Sequence, residues 1–300
     1  MSKTADHDFS HLPGAAGQLA ALFARPKWLA VACVVALTAL GWVYLALLIG
    51  HIGGTMRALG PGMGALDLVP RTITVLCRPT FGLAMPVGTW DASAFLVVAL
   101  MWAAMVLAMM LPSAGPMILT YAEIAETAAR KGEKIVSPLA IAAGYAVVWL
   151  GFAAAATLAQ FVFTRAALMD DGMASASGLF SGAIFIAAGI YQFSALKHAC
   201  LTQCRKPFPF FFAHWETSTR GVLRLGVTQG LYCLGCCWAM MAVMFAVGAM
   251  NVVWMAGLGV VMTLEKMVSG NRLTYALGVL LIAAGIAFVA VAFAAHWPAA

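Results

Sequence analysis

Apolar runs long enough to cross a bilayer recur along this chain, and they admit few folds. They lie at about Trp28–Gly50, Ala92–Leu111, Pro138–Thr164, Gly178–Leu196, within Gly221–Met250, Val252–Val268 and Leu273–His296. A helix rises about 1.5 Å per residue, so about 20 apolar residues cross a hydrocarbon layer of roughly 30 Å. Only 9% of the 300 residues are charged and 63% are hydrophobic. A soluble domain carries about a quarter charged residues, so this chain cannot clothe a globule of its size in a solvated surface. The expected fold class is all-α: a polytopic transmembrane helical bundle of about seven spans plus interfacial helices. Residues 1–27 read as a cytoplasmic N-terminal segment and 28–296 as a single transmembrane helical domain. The first run follows Arg25 and Lys27 with no small-residue cleavage site, so it reads as an uncleaved span.

Prolines and charges divide the runs. Pro112 and Pro116 are expected to break the second span and leave the charged stretch around Glu123, Glu126, Arg130, Lys131, Glu133 and Lys134 in a loop. Lys and Arg gather at the N-terminus and at 119–137, 197–224 and 266–272, whereas 165–177, the Asn251 link and the C-terminus are nearly free of them. The 51–90 loop holds Arg57, Arg71 and Arg78, but long loops translocate with weak regard to charge. This alternation places the N-terminus inside and the C-terminus outside. Glycines inside the runs (Gly144, Gly151, Gly182, Gly189, Gly278, Gly285) read as points of close helix packing. The basic residues flank apolar runs and form no aromatic-interleaved patch, so the bilayer, not nucleic acid, is the expected partner. No nucleophile elbow, acid–His pair or phosphate-cradling Gly loop is present, so no catalytic residue is assigned.

The cysteines carry the chemical signal. Of seven, Cys33 and Cys77 stand alone and read as small buried apolar residues. The other five are Cys200, Cys204, Cys233, Cys236 and Cys237. On a helix, Cys200 and Cys204 share one face, and so do Cys233, Cys236 and Cys237. With 197–224 cytoplasmic, a structural disulfide is disfavoured, and grouped reduced thiols point to a metal site or a redox pair. Arg224, Thr228 and Gln229 suggest an interfacial helix over Gly221–Tyr232, with the span starting near Cys233 and both thiol groups at the cytoplasmic face. A span starting at Gly221 would instead put the triplet near mid-membrane.

Soft and acidic groups surround these thiols in sequence. Met240 and Met241 continue the Cys233–Cys237 face, and His198 precedes Cys200. Met101, Met105 and Met109 recur every fourth residue on the second span and could line a path outward, although methionine is also an adaptable apolar filler. Thiolate and thioether together select soft ions such as Cu(I). Glu265 is an intramembrane acid, functional by default, with the adjacent Lys266 as its simplest partner. His51 and His296 read as interfacial, as does His214 beside Trp215.

Four motifs resemble a family of bacterial integral membrane proteins of unknown function, described as predicted metal-binding and sometimes as copper chaperones. They are Met101-Trp102 to Met105 with Ala108-Met109-Met110-Leu111-Pro112-Ser113 and Pro116; Leu196-Lys197 with Cys200-Leu201, Cys204-Arg205 and Pro207; Gly230 with Cys233-Leu234-Gly235-Cys236-Cys237-Trp238 and Met241; and Gly248, Met250-Asn251, Trp254-Met255 and Glu265-Lys266. Ala195 stands where the family's pattern has Pro, which leaves every thiol in place. The resemblance implies a multi-helix protein of the bacterial cytoplasmic (inner) membrane with a metal role.

Three functions follow as expectations. The first is Cu(I) handling (buffering, chaperoning or transfer to a metal-accepting protein) at a cytoplasmic-side site of Cys200, Cys204, Cys233, Cys236, Cys237, Met240, Met241 and His198, with zinc the second choice of ion. The second is thiol–disulfide redox chemistry through Cys233 and Cys236. The third is an accessory or assembly subunit of a larger membrane complex, in which the cysteines only pack.

Overall fold

The computed structural model describes residues 26–51, 90–169 and 175–296. Cys77, the three loop arginines and Asp170 and Asp171 lie outside them, as does the N-terminal segment before Pro26. The described residues form helices α1 (Pro26–His51), α2 (Ala92–Arg130), α3 (Pro138–Arg165), α4 (Gly178–Tyr191), α5 (Ala195–Arg205), α6 (Pro207–Ala213), α7 (Thr219–Ala242), α8 (Met244–Val247), α9 (Val252–Met267) and α10 (Arg272–His296). They contain no strand, only one isolated bridge between Met169 and Ser175. The fold is all-helical.

Short polar side chains start most of these helices, because the first backbone N–H groups have no partner within a helix. Asp91 accepts from the Ala94 N–H at 2.8 Å and from Ser93 Oγ at 2.7 Å. Those hydrogen bonds hold its exposed carboxyl below the usual carboxylate range. Ser137, Ser194 and Ser218 cap α3, α5 and α7, and Asn251 caps α9.

Five stretches are long and apolar enough to cross a membrane: α1, α2, α3, α7 continued through α8, and α10. A bent pair, α4 and α5, makes up to six if it counts as one span. The expected count of seven is therefore not reached on length and composition. The missing one is α9, which starts where expected, at Val252 after the Asn251 cap, but whose 16 residues rise only about 24 Å.

Two local expectations are corrected. Pro112 and Pro116 do not end α2, which runs 39 residues through both and on to Arg130. Proline inside a packed helix is tolerated when nearby hydroxyls and neighbouring helices satisfy the disturbed backbone. Hydroxyls brace the backbone beside the two prolines: Met110 O accepts from Ser113 Oγ at 2.8 Å and from Tyr145 Oη at 3.1 Å, and Pro116 O accepts from Thr120 Oγ1 at 2.8 Å. Nor is Gly221–Tyr232 a separate interfacial helix, because α7 is continuous from Thr219 to Ala242. Of its early polar residues, Gln229 faces protein at 2% exposure, whereas Arg224 is exposed.

The helices pack in pairs: α1 on α2, α3 on α7, α4 on α10, and α5 across α7. Glycines set two of these crossings. A Cβ on Gly144 or Gly226 would collide with the facing backbone of α7 or α3. A Cβ on Gly182 would lie 2.8 Å from Gly285 O, and one on Gly189 2.8 Å from Gly278 O. Gly151 is the exception, with nothing near it. The core between α2, α3, α7 and α9 holds Trp102, Tyr121, Tyr145, Trp149 and many buried methionines, including Met101, Met105 and Met109. Trp102 Nε1 donates to buried Gln160 at 2.7 Å.

Candidate metal centre

Between α4 and α5 the chain turns by 64° over Gln192–Ser194. That turn lays α5 across α7 and brings two cysteine groups, 29 residues apart in sequence, onto one another. Cys233, Cys236 and Cys237 have their sulfurs within 4.8 Å of each other, and all three are buried. Cys236 Sγ lies 3.4 Å from Cys237 Sγ and 3.8 Å from Cys204 Sγ, and it donates to Cys233 O at 3.2 Å. Two sulfurs on opposite sides of an ion, each about 2.3 Å away, would be about 4.6 Å apart. The spacing therefore suits one thiolate-bound ion. Every described cysteine is a free thiol.

Cys200 sits one turn back, its Sγ where a Cβ on Gly235 would be. It packs on the face of α7 that this glycine leaves bare, and among the described residues no sulfur contact joins it to the triplet. Met240 is buried and accepts from Gln192 Nε2 at 2.9 Å, and Met241 is fully buried. The His198 ring packs edge-on against Tyr275, and neither ring nitrogen has a hydrogen-bond partner among the described residues.

The residues around Cys233 are the ones that sequence reasoning left without a role. Lys266 Nζ donates to Cys233 Sγ at 3.0 Å and to Ser113 Oγ at 2.7 Å. Ser113 donates to Met110 O, and Tyr145 Oη reaches both that carbonyl and, at 3.0 Å, Cys233 Sγ. Lys266, Ser113, Met110, Tyr145 and Cys233 thus close a ring of hydrogen bonds joining α2, α3, α7 and α9. An ammonium against a sulfur favours the thiolate, the form that binds metal. Ser113 and Lys266 both stand in the family-like motifs, but they are 153 residues apart and no spacing in the sequence brings them to one sulfur.

That neighbour pairing is the third correction. Glu265 and Lys266 are adjacent on α9, and adjacent helix residues point apart. Glu265 pairs with Lys197 of α5 at 2.9 Å, with both side chains at most 2% exposed. Arg205 Nε donates to Glu265 O at 2.8 Å, which ties the end of α5 to α9.

A family model described as PpoB2, copper chaperone, matches residues 99–288. This chain belongs to the PpoB2 copper chaperone family. No curated protein and no solved structure is significantly similar to it. The PpoB2 match takes in every group just described, from Met110 and Ser113 to Lys266, and leaves out α1.

One prediction arises from the ring. Tyr145→Phe removes two hydrogen bonds, but Met110 O keeps Ser113 and Cys233 keeps Lys266. No acceptor is orphaned, so the expected cost is about 1 kcal/mol. It should read as a small fall in Tm with the number of metal ions the protein can bind unchanged. A loss of metal binding would instead make the phenol part of the binding set.

Proposed function

We propose that this PpoB2-family chain is a multi-pass membrane protein that holds one Cu(I) on Cys233, Cys236 and Cys237, with Cys204 as an exchangeable further sulfur, and passes it to an acceptor. The observation that carries the reading is the cluster of three buried thiols within 4.8 Å, with Cys204 at 3.8 Å from its middle member. Thiolate donors favour Cu(I), and zinc is the competing ion. Copper here is cargo, so a site that exchanges ligands suits the role better than a closed four-sulfur cage.

The five or six candidate spans support a membrane location. The Lys/Arg distribution favours the N-terminus inside and the C-terminus outside, in the cytoplasmic membrane of a bacterium, with α9 as the seventh crossing. The triplet lies about 21–27 Å along the continuous α7–α8 stretch of about 43 Å. That supports a site midway through the bundle and not at its cytoplasmic face. Access would come from the end where Arg205 and Met267 lie.

Purified protein in mild detergent, reduced and titrated against a chromophoric Cu(I) chelator, should bind one Cu(I) per chain and bind zinc more weakly. The Cys233/Cys236/Cys237→Ser triple variant should bind none. Wild-type protein that takes up no stoichiometric copper would overturn the proposal.

A further inference from the structure

A cavity of about 330 Å³ opens beside the thiol cluster, with Cys204, Cys233 and Tyr145 on its inner wall and Pro207 and exposed Met267 at its rim. Its charged lining is cationic: Arg205 and Lys266 face it, and no carboxylate does. Neither cation meets an acid side chain. Lys266 is held by Ser113 and Cys233, and Arg205 by Glu265 O and the Asn271 amide oxygen. The Glu265 carboxylate, whose backbone carbonyl Arg205 meets, pairs with Lys197. Two buried donors lining the cavity, Arg205 Nη2 and Gln229 Nε2, have no hydrogen-bond partner among the described residues. A wall whose only charged side chains besides the sulfurs are cations, and which leaves two donors without acceptors, favours an anion over a bare metal cation. A volume near 300 Å³ is that of a small-ligand site.

We infer that this cavity receives Cu(I) as an anionic complex of a small thiol that also carries a carboxylate. This rests on the metal-binding reading above and adds the chemical form of the incoming copper. Arg205 Nη2 and Gln229 Nε2 would take the carboxylate, while the complex lies against Cys204 and Cys233. The transfer is ligand exchange. A protein Cu–S bond forms as each donor Cu–S bond breaks: Cys233 enters as the thiolate and gives up no proton, whereas Cys204 enters as the thiol and passes its proton to the departing thiolate. Copper stays Cu(I) and no electron moves. Arg205 is a positioning residue, not a ligand to copper.

The test compares uptake rates from Cu(I) complexed by excess mercaptoacetate and by excess 2-mercaptoethylamine. These thiols have similar size and sulfur chemistry but opposite charge. The wild-type protein should load faster from mercaptoacetate, on the order of tenfold, and that advantage should shrink as salt is raised. Arg205→Met should remove most of the advantage, and Arg205→Lys should keep it. Equal, salt-independent rates from the two donors in wild-type protein that still binds copper would overturn this inference alone. Wild-type protein that binds no copper from either would overturn the metal-binding reading with it.

Discussion

Glu265→Gln is expected to cost about 3–5 kcal/mol of stability, the usual penalty for removing one partner of a buried ion pair. Lys197 and Glu265 meet at 2.9 Å with almost no exposure, and no second acid contacts Lys197 among the described residues. Removing the carboxylate leaves an ammonium in an apolar interior, where an uncompensated charge is far costlier than the pair. The pair joins α5 to α9, so the damage should reach Cys204 and Lys266 together. A marked fall in Tm in detergent, with weaker copper binding, is the expected result. Lys197→Met with Glu265→Leu should recover most of the stability, since apolar replacement of a buried pair is often neutral or better. An unchanged Tm in the single variant would show that water reaches the pair.

The second large effect is expected at the α3–α7 crossing. A Cβ at Gly144 would overlap Leu223 O and lie 2.8 Å from Val227 N, so backbone and not a flexible side chain must move. Overfilling a packed core costs about 1–3 kcal/mol, and a backbone collision belongs at the upper end. Gly144→Val should therefore lower Tm strongly. It should also weaken copper binding, because Tyr145 is the next residue and Cys233 lies two turns along α7 from Val227. Gly151→Val is the internal control. It lies on the same helix with open space around it and should change neither property. Equal effects from the two valines would mean that helix propensity, not the close crossing, is at work.

Both predictions concern groups whose importance the sequence half disclosed. Apolar periodicity placed α3, α9 and α10 within a residue or so of their observed limits, since long apolar runs between caps leave little freedom. It failed at Pro112 and Pro116, where a local rule met a helix whose backbone is supported by Ser113, Thr120 and Tyr145. It failed again at Arg224–Gln229, where polarity suggested a surface but Gln229 is buried against protein. The thiol triplet was legible because all three residues sit on one helix with fixed spacing. The approach of Cys204 to Cys236 was not legible, because it depends on a bend between helices that no spacing encodes. The true partner of Glu265 was hidden for the same reason, 68 residues away in sequence.

That bend has a consequence for how the chain can vary. Cys204 reaches Cys236 only because the three residues Gln192–Ser194 set the start of α5 and nine helical steps then carry the chain from Ala195 to Cys204. One residue added or removed anywhere in 192–204 turns Cys204 by about 100° and slides it about 1.5 Å along the helix, off the other sulfurs. It also displaces the end of α5 that carries Arg205, which lines the cavity. Substitutions along this stretch are graded in effect, whereas a change of length is all-or-none. Natural relatives that handle the same ion should therefore keep the length of this stretch along with Lys197 and Cys204.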